Sequence, residues 1–305
     1  MNRRRVQSPR IDAVTHRLAL VTAALTGVLL FAGGLVTSTG SGLAVPDWPL
    51  SFGTLFPSMV EGVRFEHSHR LIAGFVLILM AALTVRIARQ SGPGLVRNLA
   101  FLGMGAVVAQ ALLGGLTVLL QLPPAVSVAH AVLAQGFFST VCTLAAATGP
   151  GWKPPLPGAR ALRRAGHAAA GALGIQILLG AVMRHLGAGH EFPDWPLAGG
   201  RIIPAFYGDP GRMANFAHRS WSWVAGAMVL WAAHRAWHGS HGHTLVRRWG
   251  LALPLLLALQ FTLGAQAVWL NLPPLVTALH VPVGGLLLAG SVLLAVRSGL
   301  ERVLH

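Results

Sequence analysis

Acidic side chains are scarce in this sequence and cysteine is nearly absent: its 305 residues include eight Asp and Glu and a single Cys, Cys142. One cysteine excludes an internal disulfide and any thiolate metal cluster. Charged residues of both signs make up 10% of the chain, against roughly a quarter in a soluble domain. A water-soluble globular domain is thereby excluded. Apolar residues take their place, at 54%. They gather into runs long enough to cross a bilayer, for which about 20 residues suffice. Eight spans are expected, near 16–37, 66–86, 98–121, 125–148, 166–186, 215–237, 249–270 and 275–296. The fold class is then an all-α integral membrane protein.

The formal net charge of +15 invites a nucleic-acid reading, but its placement argues otherwise. Arg3, Arg4, Arg5 and Arg10 precede the first span, and Arg86, Arg89 and Arg97 fill the next alternate loop. Lys153, Arg160, Arg163 and Arg164 follow, then Arg235, Arg247 and Arg248, and finally Arg297 and Arg302. All fall on one side of an even-numbered bundle. The positive-inside rule makes that side, with both termini, cytoplasmic. Most acids (Asp47, Glu61, Glu66, Glu191, Asp194, Asp209) fall on the other side. The charge therefore encodes topology; its partner is the lipid bilayer and no nucleic acid is implied. A short basic head without a small-residue cleavage site reads as a retained first helix, and a bacterial plasma membrane is expected rather than an organelle.

The sequence repeats itself. "VPDWPL" (45–50) returns as "FPDWPL" (192–197), "HSHR" (67–70) as "FAHR" (216–219), and the run 95–130 as 245–280. Each copy holds four spans, so both run the same way through the membrane, as a parallel repeat. Two four-helix units are expected, 1–150 and 151–305.

Within each unit the second and fourth spans descend from the same side, each with a histidine near its start: His69 and His130, then His218 and His280. Two imidazoles at one depth can face one another. Zinc would need further ligands, and Asn215 stands where the first unit has Glu66. A haem needs two axial ligands and apolar walls, which a helical bundle supplies. One bis-histidine haem per unit is the expectation. His67 lies about 200° around the helix from His69 and points away from it. Glu66 shares a face with His69 and Arg70, either as the salt-bridge partner of Arg70 or as an acid over the haem edge. Arg70 and Arg219 suit haem propionates. Asp47 and Asp194 are read as fixing loop turns, Gln110 and Gln260 as bonding across helices, Trp48 and Trp195 as interfacial. The histidine-rich stretch His234, His238, His241 and His243 is read as a solvated loop.

With E-x-x-H-R at 66–70, the duplicated P-D-W-P segments and four paired histidines, the sequence resembles the haem A synthase family over nearly its whole length. That resemblance implies an oxidoreductase that converts the ring methyl of haem O to a formyl group by successive hydroxylations. It implies that His218 and His280 ligate a haem b cofactor through its iron. His69 and His130 would line the haem O site, with Glu66 required for activity. Many members carry a cysteine pair flanking the first P-D-W-P; here Val45 and Ser51 stand there, so a mechanism through cysteine is not expected. The implied partners are the haem O-producing enzyme and an unidentified electron acceptor, and a homo-oligomer is compatible with the sequence. A di-haem b-type cytochrome taking electrons from quinol would use the same four histidines, without needing the difference between Glu66 and Asn215. A transporter ranks last, because the histidines avoid mid-membrane.

Overall fold

A computed structural model describes residues 11–150, 152, 159–206, 208–239 and 243–298. Arg3, Arg4, Arg5, Arg10, Lys153, Arg302, His241 and His305 lie outside the described residues. The structure consists of eight long helices: α1 (Ala13–Ser38), α2 (Val63–Ala88), α3 (Gly94–Leu119), α4 (Pro124–Thr148), α5 (Arg160–His185), α6 (Pro210–His238), α7 (Thr244–Trp269) and α8 (Pro274–Arg297). A short 3-10 turn, Ala188–His190, and two isolated β-bridges complete the regular structure among the described residues.

Local chemistry sets several of these boundaries. Asp12 caps α1 by accepting from the Thr15 N–H, and Asp209 caps α6 by accepting from Gly211 and Arg212. Pro124 and Pro274 open α4 and α8, where a missing N–H costs nothing. The preceding turns are duplicated in detail. Gln121 and Leu122, like Asn271 and Leu272, adopt positive φ. The Leu122 and Leu272 N–H groups then return to the Thr117 and Ala267 carbonyls at 2.6 and 2.7 Å. Consecutive left-handed residues that are not glycine are uncommon, and the same pair in both halves marks one inherited turn.

Seven helices are long and apolar enough to span a membrane; the exception is α6. The expected sixth span is present as a helix of 29 residues, ample in length at 1.5 Å per residue, but Arg212, Arg219, Arg235 and three histidines dilute its hydropathy. The protein is a multi-pass membrane protein.

The helices pack in two rings. In the first, α1 to α4 each touch the next and α4 closes on α1; in the second, α5 to α8 do the same. Each ring has its own apolar core, one around Val76, Met80, Leu83 and Phe137, the other around Val229, Ala232, Leu253 and Leu294. Between them α8 lies against α1 and α4, and α4 against α5. Small residues permit that approach. A methyl group at Gly34 would sit 2.9 Å from the Ala278 Cα, and one at Gly285 would meet Gln135 and Phe138.

Candidate functional site

The long connections between α1 and α2 and between α5 and α6 close one end of each ring, and one construction serves both. Asp47 accepts from the Phe52 and Gly53 N–H groups at 2.7 and 2.8 Å; Asp194 accepts from Gly199 and Gly200, both at 2.7 Å. Arginines from the helices then clamp the loops. Arg70 donates to the carbonyls of Val45, Asp47 and Leu50, and Arg219 to those of Phe192, Asp194 and Leu197. Terminal nitrogens expected to meet propionates thus bind loop carbonyls, three in each half. Buried carbonyls carry no side-chain signature, so the sequence alone gave no sign of this use.

The carboxyl of Asp47 is held below its ordinary value of 3.8, chiefly by the N–H groups of Gly53 and Phe52. At Asp194 desolvation works the other way, and the N–H groups of Gly200 and Gly199 outweigh it. A depressed carboxylate pKa stabilises the fold above the unfolded value and ceases to do so as pH falls through the folded value. Both loops should therefore resist proteolysis near neutral pH and loosen as pH falls from the ordinary carboxylate range through the lowered folded value. Asp47→Asn should make the 45–56 segment cleavable by a broad-specificity protease at neutral pH, where the wild type resists. Equal cleavage of the two proteins there would remove this role.

In the first half Glu66 is 3% exposed and both of its oxygens are engaged. Oε1 meets Arg70 at 2.5 Å and Oε2 accepts from the Val45 N–H at 2.8 Å. In the second half Asn215 donates to the Ala188 carbonyl, and its Oδ1 is buried without a partner. The halves thus share loop and clamp but differ at this position by one negative charge.

The ring order places α2 opposite α4 and α6 opposite α8, so each histidine pair comes from diagonal helices. His69 lies within electrostatic reach of His130, and His280 of His218. All four histidines are half-buried within their helices. Each rests on a glycine of the preceding helix. A methyl group at Gly33, Gly114, Gly180 or Gly264 would lie 3.1, 3.1, 2.8 or 3.3 Å from Cε1 of His69, His130, His218 or His280 respectively. In each case Nδ1 is nearer that position than Nε2. One turn before each glycine, the carbonyl of Leu29, Gln110, Gln176 or Gln260 lies beside the ring.

These features fit axial ligands to iron. A metal-bound histidine commonly gives its other ring N–H to a carbonyl, and Nδ1 of His69, His130 and His280 is buried without a well-formed hydrogen bond, beside such a carbonyl. Bare helix backbone at the glycines lets Cε1 of each ring approach closely. In the second half the Gln176 amide lies 3.2 Å from His218 Nδ1 and the Gln260 amide 3.1 Å from His280 Nε2. In the first half the Gln110 amide turns instead to the His130 carbonyl at 2.9 Å, and Leu29 stands in place of Gln176.

The glycine distances predict a graded series. Gly180→Ala should displace His218 and remove most low-spin haem b from the purified protein, whereas Gly264→Ala should remove little. Equal haem retention in the two variants would show that the glycines do not set the rings.

Elsewhere, Cys142 is a free thiol inside α4. Trp48 lies over Gly115 of α3, and Trp195 packs with Trp223, Phe261 and Trp269. His234 and His238 meet at a tilt at the end of α6, ring centroids 4.5 Å apart. Among the described residues no cluster of three or more His, Cys, Asp or Glu could hold a bare metal ion.

Two rings of four helices, each with histidines on diagonal helices and a clamped loop, define a duplicated membrane bundle. Residues 64–292 match the COX15-CtaA model, described as cytochrome oxidase assembly protein, and the chain belongs to that haem A synthase family. It is 33% identical over 234 residues to the protein of Symbiobacterium thermophilum named "Heme A synthase", covering 72% of this chain and 76% of that one. Proteins of the same name from Staphylococcus haemolyticus and Rhodopseudomonas palustris are each 28% identical. They cover 86% and 95% of this chain, and 88% and 91% of their own.

Proposed function

We propose that this protein is a haem A synthase that oxidises the ring methyl of haem O to a formyl group through successive hydroxylations. The observation that carries the reading is a histidine pair duplicated in both halves, with a buried carboxylate, Glu66, three residues before the first histidine in the first half and Asn215 at the matching position in the second. His218 and His280 hold haem b in the second unit, residues 151–305. When bound, that haem supplies one-electron chemistry. His69 and His130 line the haem O site in the first unit, residues 1–150, and orient the macrocycle between α2 and α4.

Glu66 accepts a proton from the reacting centre. Its oxygens keep lone pairs beyond those used by Arg70 and Val45. Arg70 binds both this carboxylate and three loop carbonyls, so it holds the base in place and keeps the loop closed against water. Asn215 cannot accept a proton in this way, which supports a binding rather than a reacting role for the second half. The family relation favours this reading over electron transfer from quinol. The arginine-rich helix ends support a bacterial plasma membrane with cytoplasmic termini and haem sites toward the outside. Haem O comes from the enzyme that makes it, and the electrons pass to a separate acceptor.

Co-expression with a haem O-producing enzyme, followed by pigment extraction, tests the function. Haem A or a hydroxylated haem is expected. Unchanged haem O beside haem b would support the electron-transfer reading instead.

A further inference from the structure

His67 has no part in the chemistry above. It is 5% exposed and its Nδ1 lies 2.8 Å from the Ser51 Oγ. The second half has no such pair, since Phe216 and Ala198 occupy the matching positions. A histidine and serine turned away from the haem side, and present only in the half that carries Glu66, call for another use.

The pair borders a pocket of about 320 Å³ between the 49–55 loop and α2, within the range of small-molecule sites. Its polar floor is Ser51, His67 and Arg70, and its walls include Leu55, Phe75 and Ile78. Phe75 and Ile78 are more than half exposed on a spanning helix, so this stripe faces lipid. Gly74 hollows the stripe, and a methyl group there would meet nothing within 4 Å. The pocket is thus entered sideways from the bilayer, with an apolar approach and a hydrogen-bonding end.

We propose that this pocket binds the headgroup of a lipid-soluble quinone, with its tail lying along Gly74, Phe75 and Ile78. Two observations select that chemistry. First, the terminal nitrogens of Arg70 are taken by three carbonyls and Glu66. The floor therefore offers little to an anionic phosphate and suits a neutral headgroup. Second, the Ser51 hydroxyl can donate to Nδ1 or accept from it. His67 Nε2 can accordingly donate to a quinone carbonyl or accept from a quinol hydroxyl. Such a group matches a ligand that is an acceptor when oxidised and a donor when reduced. Only the purpose of the site, an electron carrier beside an oxidative centre, rests on the haem A synthase reading.

The test uses the full-length protein in nanodiscs of defined phospholipid, with decylubiquinone as probe and an azido-decylquinone as photolabel. His67→Phe installs the residue of the second half, and Gly74→Leu fills the hollow from open space. Each should weaken decylubiquinone binding by about tenfold, as expected for one lost hydrogen bond or a blocked pocket. Haem content and spectrum should not change, and the label should map to 49–55 or 67–78. Unaltered binding in both variants, or labelling elsewhere, overturns the proposal. Loss of binding when the nanodisc lipid is changed from phosphatidylcholine to phosphatidylglycerol would assign the pocket to an anionic lipid and overturn it as well. Haem content in the same samples reports on the four histidines independently, so failure of one reading is distinguishable from failure of the other.

Discussion

Glu66→Gln should fold, retain haem b in the second half and stop short of haem A, accumulating haem O or a hydroxylated haem. The side chain keeps its size, and its carbonyl can still accept from the Val45 N–H as Oε2 does. Two properties change. The amide cannot take up a proton, and where Oε1 met Arg70 an NH2 group would face a donor unless Arg70 shifts. Arg70 keeps its three loop carbonyls, so the clamp survives the loss of one of its partners. General-base assistance contributes roughly 10²–10⁴-fold in rate, and a loss of that size in haem A formation is expected. Haem A produced at the wild-type rate would leave Glu66 as the ion-pair partner of Arg70. Loss of haem b and of folding would show that the charge is needed for assembly. Glu66→Asp separates these cases, because a shorter carboxylate keeps the proton acceptor but misplaces it.

His218→Ala and His280→Ala should each lose most of the haem b that purifies with the wild type, and with it the low-spin spectrum. Either change removes an axial nitrogen and opens the space beside Gly180 or Gly264. His69→Ala and His130→Ala should keep that spectrum, since their rings border the other bundle and each bundle has its own core. Full low-spin haem b in both second-half variants would sink the assignment of this pair. Its loss in the first-half variants would place the cofactor in the wrong unit.

Much of the architecture was legible in the sequence because its signals are strong and occur twice. The eight expected spans fall within a few residues of the eight helices, and α4, expected at 125–148, runs from Pro124 to Thr148. The prolines after Gln121 and Asn271 marked the turns, and the alternation of arginines marked the ends. What escaped was chemistry in which one partner is backbone. Arg70 and Arg219 read as partners of a carboxylate or of propionates, and the loop carbonyls they also bind belong to residues of any type. Gly33, Gly114, Gly180 and Gly264 were lost among 37 glycines, although Gly114 and Gly264 each stand 16 residues before His130 and His280, a repeat that could have revealed that pair. His67 was placed correctly as facing away from His69, but its bond to Ser51 depends on how the loop folds back, which no local pattern encodes.

The way α8 lies against α1 and α4, while α4 lies against α5, is the geometry of two like subunits meeting about an axis. A single four-helix ancestor could have used the same surface twice, as a homodimer. In such a dimer every substitution appears at both sites, so a carboxylate favourable at one haem would also burden the other. Joining the copies in one chain removed that constraint. Position 66 could then keep an acid while position 215 took an amide, and His67 with Ser51 could persist where the other half settled on Phe216 and Ala198. On this view the covalent link between α4 and α5 does more than hold two bundles together: it lets one be altered without altering the other.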